Sequence, residues 1–518
     1  MQKTIYFGGP ILTMEPGPAP QAVLVDGGRI EAVGDLPALE ARAPGAQRWD
    51  LAGRALLPAF LDPHSHITAL ASTLGLAQLG AAGSWAEIGA ILRAFRDGKG
   101  TAPGAWVVGF GYDHNVLDER AHPDRRALDA ALPDNPVMIT HASGHMGVLN
   151  TAALAAMGIT ADTPDPPGGK IGREADGLTP SGYLEETAFT SLAAQMPQAA
   201  GEDPYAGIRA AQEVYFSHGI VLAQDGLTDA GRYGLFSGAG LTIDVVGYAD
   251  EKNAPELAGR PGIGGYKIFL DGSPQGRTAW MLEPYVGGDG AYTGYPIYTD
   301  AEVLAFVKTA LSQGRQILAH CNGDAAAEQY IRCCRAAQEA LGRPIRDIRP
   351  VMIHAQLVRR PQLAEMARLG IIPSFFAAHV WYWGDVHVEN FGAQRASSIS
   401  PLRTAAELGL PFTLHQDTPV IQPDMIESVW CAANRITRGG RVLGPEEKIS
   451  AYDALRAVTI HAAYQYFMER ERGSIAPGKR ADFAILSADP TAVAPEKIRE
   501  IRVLETVKDG KTVYGQAV

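Results

Sequence analysis

The 518-residue chain is 46% hydrophobic and 20% charged, an ordinary globular composition that excludes a disordered or low-complexity protein. A formal net charge of -12 excludes a broad cationic surface for nucleic acid or anionic membrane. Four cysteines, with Cys333 and Cys334 adjacent, argue against a disulfide framework and for reduced thiols.

No apolar stretch is long enough for a signal peptide or a bilayer span, so a cytoplasmic location is expected. The expected partner is a small molecule, with nucleic acid and membrane excluded and a homo-oligomer left open.

In chain order, short strand-like runs come first: Ile5 to Phe7, Ile11 to Met14, Ala22 to Asp26 and Ile30 to Val33, with the turn Asp26-Gly27-Gly28 between the last two. The same texture returns in Asp482 to Leu486, Ile501 to Val507 and Thr512 to Tyr514. Two β-rich ends around an αβ centre predict a small β-sandwich domain from residues 1–57 and 468–518.

Between them, eight short apolar runs each close on a polar residue: Leu56 to His66, Val221 to Asp225, Ile243 to Tyr248, Tyr266 to Leu270, Gln316 to His320, Pro350 to His354, Ile371 to Phe376 and Phe412 to Asp417. Helical patterns follow most of them, as in Ala301 to Ser312, Ala325 to Leu341 and Pro361 to Leu369. Apolar strands alternating with helices predict an α/β fold, a (β/α)8 TIM-like barrel over 58–467. Residues 70–205 break the rhythm, with a helix from Ser84 to Asp97 and strands at Trp106 to Phe110 and Pro136 to Thr140, and read as a lid inserted after the first strand.

Barrel enzymes carry their chemistry at the C-terminal ends of strands. His64, His66, Lys267, His320, His354 and Asp417 fall at those ends. The two histidines of His64-Ser65-His66 point the same way from an extended chain and can share one cation. Imidazoles with a carboxylate suit Zn, as one or two divalent ions, with Mn, Fe or Co as alternatives. Taken singly, His320 and His354 read as core histidines and Asp417 as an Asx turn before Pro419. Lys267 lies in an apolar strand where a bare ammonium is costly, so it is expected either to pair with Asp271 or to be carbamylated into an anionic metal bridge.

The run Asp62-Pro63-His64-Ser65-His66, the strand lysine, the two later histidines, the final aspartate and the tail Gly473 to Asp482 together resemble the metal-dependent amidohydrolase superfamily. Ser143-Gly144-His145-Met146, Val148-Leu149-Asn150, and Asp271-Gly272-Ser273 before Arg277-Thr278-Ala279 resemble motifs of its large branch that includes N-substituted formamide deformylase. The resemblance spans essentially the whole chain. It implies a metal-dependent hydrolase with His64, His66, His320 and His354 as ligands and a carbamylated lysine at Lys267. Ala59, Cys321 and Ile353 stand where that pattern carries other residues.

A divalent ion lowers the pKa of bound water and polarises a scissile carbonyl. Asp417 is then the expected general base, and His145 a donor to the developing oxyanion. Trp381 and Trp383, in a loop expected after strand seven, and Arg277 are expected at the substrate. Related deaminases carry a glutamate where this chain has Gly323, so cleavage of an amide-type C–N bond leads. Ester, lactone or carbamate hydrolysis is the alternative, and a non-catalytic metal-binding protein the rival from another class.

Overall fold

The computed structural model describes residues 3–144, 146–166, 169–193, 203–287 and 290–515. These divide into two compact units: Met1–Thr68 with Ala211–Thr418 and Gln422–Val518, and Ala69–Ala210 with Pro419–Ile421.

The first unit is built on an eight-stranded sheet. Its strands are β1 (Phe60–Leu61), β2 (Ile220–Thr228), β3 (Asp244–Asp250), β4 (Ile263–Phe269), β5 (Gln316–Cys321), β6 (Val351–His354), β7 (Ile372–Phe375) and β8 (Thr413–Leu414). They lie side by side in chain order, every neighbouring pair parallel. All eight apolar runs thus contribute to one sheet, as a TIM-like barrel requires. Beyond the two end strands, His66 N donates to Thr418 O at 2.8 Å, so the chain after β1 meets the chain after β8. The core inside includes Leu61, Val221, Leu318, Val351 and Ile353, all without solvent exposure. Helices Asp300–Gln313, Asp324–Leu341 and Arg360–Leu369 follow the strands where the apolar periodicity calls for them.

The first expected run, Leu56 to His66, is two strands. Ala55–Pro58 pairs antiparallel with Phe483–Leu486, in a four-stranded sheet with Val503–Lys508 and Lys511–Tyr514. The chain then changes sheet: Ala59 N still donates to Asp482 O, but Phe60 N donates to Gly219 O. Ala59 N is the last donor into the first ladder, and from Phe60 on the chain pairs with β2. Ile11 to Met14 is not a strand either, but makes a single bridge from Ile11 to Leu56. A second four-stranded sheet is formed by Thr4–Phe7, Ala22–Asp26, Arg29–Gly34 and Gln47–Asp50. Tyr6, Val23 and Val25 from this sheet pack with Leu56, Phe483, Ile485 and Val507 from the other into one apolar cluster.

A fully buried cation closes the helix Met425–Asn434. Arg435, fully buried in the left-handed region (φ 54°), donates to the carbonyls of Leu443 (2.8 Å), Ser400 (3.0 Å), Ser397 (3.3 Å) and Ile399 (2.7 Å). Arg435→Met leaves those acceptors unpaired, and is expected to cost about 3 kcal/mol or more, read as a lowered guanidinium midpoint.

The second unit carries a mixed sheet of six strands. Ala77–Gln78, Val107–Tyr112 and Val137–His141 run parallel, and Met146–Leu149, Pro180–Glu186 and Gly169–Arg173 continue it antiparallel. The helix Trp85–Lys99 starts where Ser84 accepts a cap hydrogen bond from Glu87 N (3.3 Å), and buries Ile88 and Leu92 in this unit's core.

Candidate active site

The segment after β1 is zipped onto β2. Asp62 N donates to Leu222 O (2.9 Å), Gly226 N to Ser65 O (2.8 Å), and Ser65 Oγ accepts from Gln224 N (3.2 Å). With Ser65 turned to the neighbouring strand, the rings of His64 and His66 share one side, their centroids 5.1 Å apart. Gly226 makes room for them, because a Cβ there would stand 2.5 Å from His64 Cε1.

Hydrogen bonds set which nitrogen of His64 is bare. Gln224 Nε2 donates to Pro63 O (2.8 Å) and Tyr466 OH (2.9 Å), which leaves Gln224 Oε1 facing His64 Nδ1 at 2.6 Å. An amide oxygen only accepts, so the proton sits on Nδ1 and Nε2 carries a lone pair. That Nε2 is 3.2 Å from Lys267 Nζ and 3.4 Å from Asp417 Oδ1. His66 Nε2 is also 3.4 Å from Asp417 Oδ1, and His354 Nε2 is 3.8 Å from Asp417 Oδ2.

His354 is held from behind by a relay. Its Nδ1 is 3.2 Å from His415 Nε2, and His415 Nδ1 is 2.9 Å from Ser374 Oγ. His354 and Asp417 both sit in the left-handed region, at φ 70° and 54°. Non-glycine residues adopt it at a cost of about 1 kcal/mol or more, so the surrounding structure over-determines both side chains. His320 stands beside this group, its ring centroid 4.5 Å from that of His354. Its Nε2 faces Asn322 Nδ2 (3.0 Å), Gly272 O (3.3 Å) and Asp271 Oδ1 (3.7 Å).

Burial decides the charges. It drives the pKa values of His64 and His354 well below normal and that of His415 to about 3, so these imidazoles are neutral at pH 7. It pulls the Lys267 amine down to about 8, against the pull of Asp417. Burial alone would raise the Asp417 pKa, but the close approach of His66, with the rings of His64 and His354 beside it, outweighs it and holds the carboxyl well below the usual carboxylate range.

This donor set fits a divalent cation. Among the described residues Asp417 Oδ1 is buried without a hydrogen-bond partner, and the ligand atoms of His64, His66 and Asp417 all lie within 4.8 Å of one another. Bonds of about 2.0–2.2 Å at tetrahedral angles hold ligand atoms about 3.3–3.6 Å apart, which brackets the two 3.4 Å separations here.

Of the six residues expected at the strand ends, His64, His66, Lys267, His354 and Asp417 form one chain of contacts, and His320 borders it through His354. The alternative pairing of Lys267 with Asp271 does not occur among the described residues. Asp271 instead accepts from the backbone N–H groups of Asn322 (2.9 Å), Gly323 (2.7 Å) and Trp280 (3.0 Å). Gln224, Ser374, His415 and Asn322 escaped the sequence reading. The repeat of the i, i+2 spacing at His415 and Asp417 is the one local signal that could have found His415.

Among the residues expected at the substrate, His145 lies outside the described residues. Arg277 donates to Val286 O (2.7 Å) and lies 5.4 Å over the Tyr285 ring. The aromatic run expected as a loop is the start of a helix, His379–Ser397, since no glycine or proline interrupts residues 379–383. Trp383 is buried there against His379, with ring centroids 4.5 Å apart. Trp381 packs edge-on to Trp430 at 5.3 Å, beneath the Arg499 guanidinium.

A family model described as "Amidohydrolase family" matches residues 47–514, and one for an imidazolonepropionase-like composite domain of bacteria matches 22–46. N-substituted formamide deformylase of Arthrobacter pascens is 29% identical, covering 95% of each chain. Protein LONG AFTER FAR-RED 3 of Arabidopsis thaliana is 27% identical, covering 98% of this chain and 91% of that one. Among solved structures, an uncharacterized metal-dependent hydrolase of Pyrococcus horikoshii OT3 shares the fold, with a TM-score of 0.73, 24% identity, and coverage of 95% of this chain and 99% of its own. With a family model spanning nearly the whole chain, and the strand-end histidines and aspartate gathered at one site, the chain belongs to the amidohydrolase family.

Proposed function

We propose that the chain is a metal-dependent hydrolase that cleaves an amide-type C–N bond in an N-acyl or N-formyl amine. One observation carries this reading: an ionised, buried Asp417 whose Oδ1 lacks a hydrogen bond and faces two imidazole nitrogens at 3.4 Å. The similarity to N-substituted formamide deformylase supports the choice of bond.

In this reading His64, His66, His320, His354 and Asp417 would hold one or two divalent ions, Zn first, with Lys267, as a carbamate, a further ligand. The bound ion supplies an activated water and polarises the scissile carbonyl. Asp417 accepts the proton of the attacking water on a carboxylate oxygen and delivers it to the departing amine nitrogen. Gln224 and His415 hold the His64 and His354 rings at fixed angles, so the ligand nitrogens need no rearrangement on loading. His145, Trp381, Trp383 and Arg277 are assigned to the substrate side of the reaction.

Two substrate panels test the proposal, formanilides with p-nitroanilides and p-nitrophenyl esters with lactones, each with and without chelator. Dialysis against chelator is expected to abolish turnover of the amides, and added Zn, Mn or Co to restore it. Ester turnover without amide turnover would transfer the assignment to the esterase and lactonase class. Absence of turnover on both panels, in protein that still binds metal, would favour a metal-binding protein.

A further inference from the structure

The second unit holds another histidine cluster, which the reaction proposed above does not use. Two adjacent parallel strands, Val107–Tyr112 and Val137–His141, end side by side, Tyr112 opposite His141. Asp113 and His114 follow the first strand, and His141 closes the second. Sites for ligands commonly form beyond the carboxyl ends of parallel strands.

Three ligand atoms converge there. His114 Nδ1 is 3.3 Å from His141 Nε2, His141 Nε2 is 3.4 Å from Asp113 Oδ1, and His114 Nδ1 is 3.9 Å from the same oxygen. Tetrahedral bonds of about 2.0–2.2 Å require separations of about 3.3–3.6 Å, so two edges already match and the third closes by a few tenths of an ångström.

Each side chain is aimed by a neighbour. Asn115 donates to Asp113 Oδ1 from its backbone and its side-chain nitrogen, both at 2.9 Å. The His114 ring stacks on His122 at 4.0 Å, and His122 Nδ1 is itself fixed by Tyr112 OH at 2.9 Å. His141 Nδ1 faces Ser143, 3.1 Å from its N and 2.9 Å from its Oγ, which turns Nε2 toward the other two ligands. Without an ion, Nδ1 accepts from Ser143 N and the proton sits on Nε2. For Nε2 to bind an ion, that proton would move to Nδ1 and be accepted by Ser143 Oγ, the Ser143 N–H bond to Nδ1 being given up in exchange for the metal bond and the ring staying neutral.

We infer that Asp113, His114 and His141 form a second divalent-cation site, of the borderline class that Zn2+ and Co2+ represent, with a fourth position open to water or a ligand group. Two imidazoles and one carboxylate leaving one position free is the donor set of an exchangeable rather than a purely structural zinc site. The inference is independent of the metal assignment in the barrel.

The test starts from the full chain carrying His64→Ala and His66→Ala, equilibrated with Zn2+ at micromolar concentration, freed of excess by gel filtration and analysed for metal. Adding His114→Ala is expected to remove about one further equivalent, with the affinity at this site falling about 100-fold or more. With Co2+ as probe, the same substitution is expected to remove the visible absorption of one tetrahedral ion. Asp113→Asn, isosteric and still able to accept from Asn115, provides a second variant should His114→Ala fail to fold. Identical Zn content and Co2+ spectra with and without these substitutions, in folded protein, would overturn the site. Failure of the barrel assignment reads differently: His64→Ala/His66→Ala would then bind as much metal as the unaltered chain.

Discussion

Asp417→Asn is expected to lower turnover of an N-acyl amine by between about 100- and 10,000-fold while leaving the chain folded, the range general acid–base catalysis usually supplies. The substitution is nearly isosteric and retains an oxygen, so a second oxygen able to take a proton is what the site loses. That loss falls on kcat more than on KM, because the carboxylate acts on the attacking water and not on the resting substrate. Metal content measured on the same preparation separates the two roles of Asp417. Lost turnover with retained metal identifies the base, and lost metal makes ligation its main contribution. Unchanged turnover with unchanged metal would move the base elsewhere, His320 being the neighbouring imidazole beside His354.

The strand-end residues were legible because their signals are local. Continuous apolar runs closing on a polar residue mark buried parallel strands, and each of the eight contributes to the sheet. The spacing of His64 and His66 fixes their common direction without reference to anything distant. What stayed hidden depends on approach between remote segments. Gln224 orders His64 across 160 positions of sequence, and His415 reaches His354 across 61. Neither residue type announces such a role by itself. The sheet change at Pro58 was hidden for another reason. Leu56 to Leu61 is uniformly apolar, and apolarity does not say which of two adjacent cores a residue enters. The aromatic run at 379–383 follows strand seven, where a loop is expected, yet it packs as a helix, with Phe376, His379 and Trp383 meeting edge-on or tilted in one buried cluster. His114 and His141 escaped notice because 27 residues separate them, and only the parallel pairing of their strands brings them together.

Lys267→Ala is expected to remove several kcal/mol of transition-state stabilisation, a loss of about 100-fold or more, and to be partly rescued by short-chain carboxylates with bicarbonate. A lysine 1% exposed, on strand β4 and without a carboxylate at ion-pair distance, would be an expensive ammonium. Its Nζ lies 3.2 Å from the bare Nε2 of His64, and burial has already pulled its pKa to about 8. In its neutral form that amine would add CO2 through Nζ and lose one proton to solvent, giving a carbamate whose two oxygens share one negative charge. Such a product would remove the buried cation and offer oxygen ligands to a divalent ion. A small carboxylate entering the space left by Lys267→Ala can reproduce those oxygens, whereas an amine of similar size cannot. Rescue by acetate or propionate but not by methylamine is therefore the expected pattern. Full activity with unchanged metal content in Lys267→Ala would reduce the lysine to a packing residue.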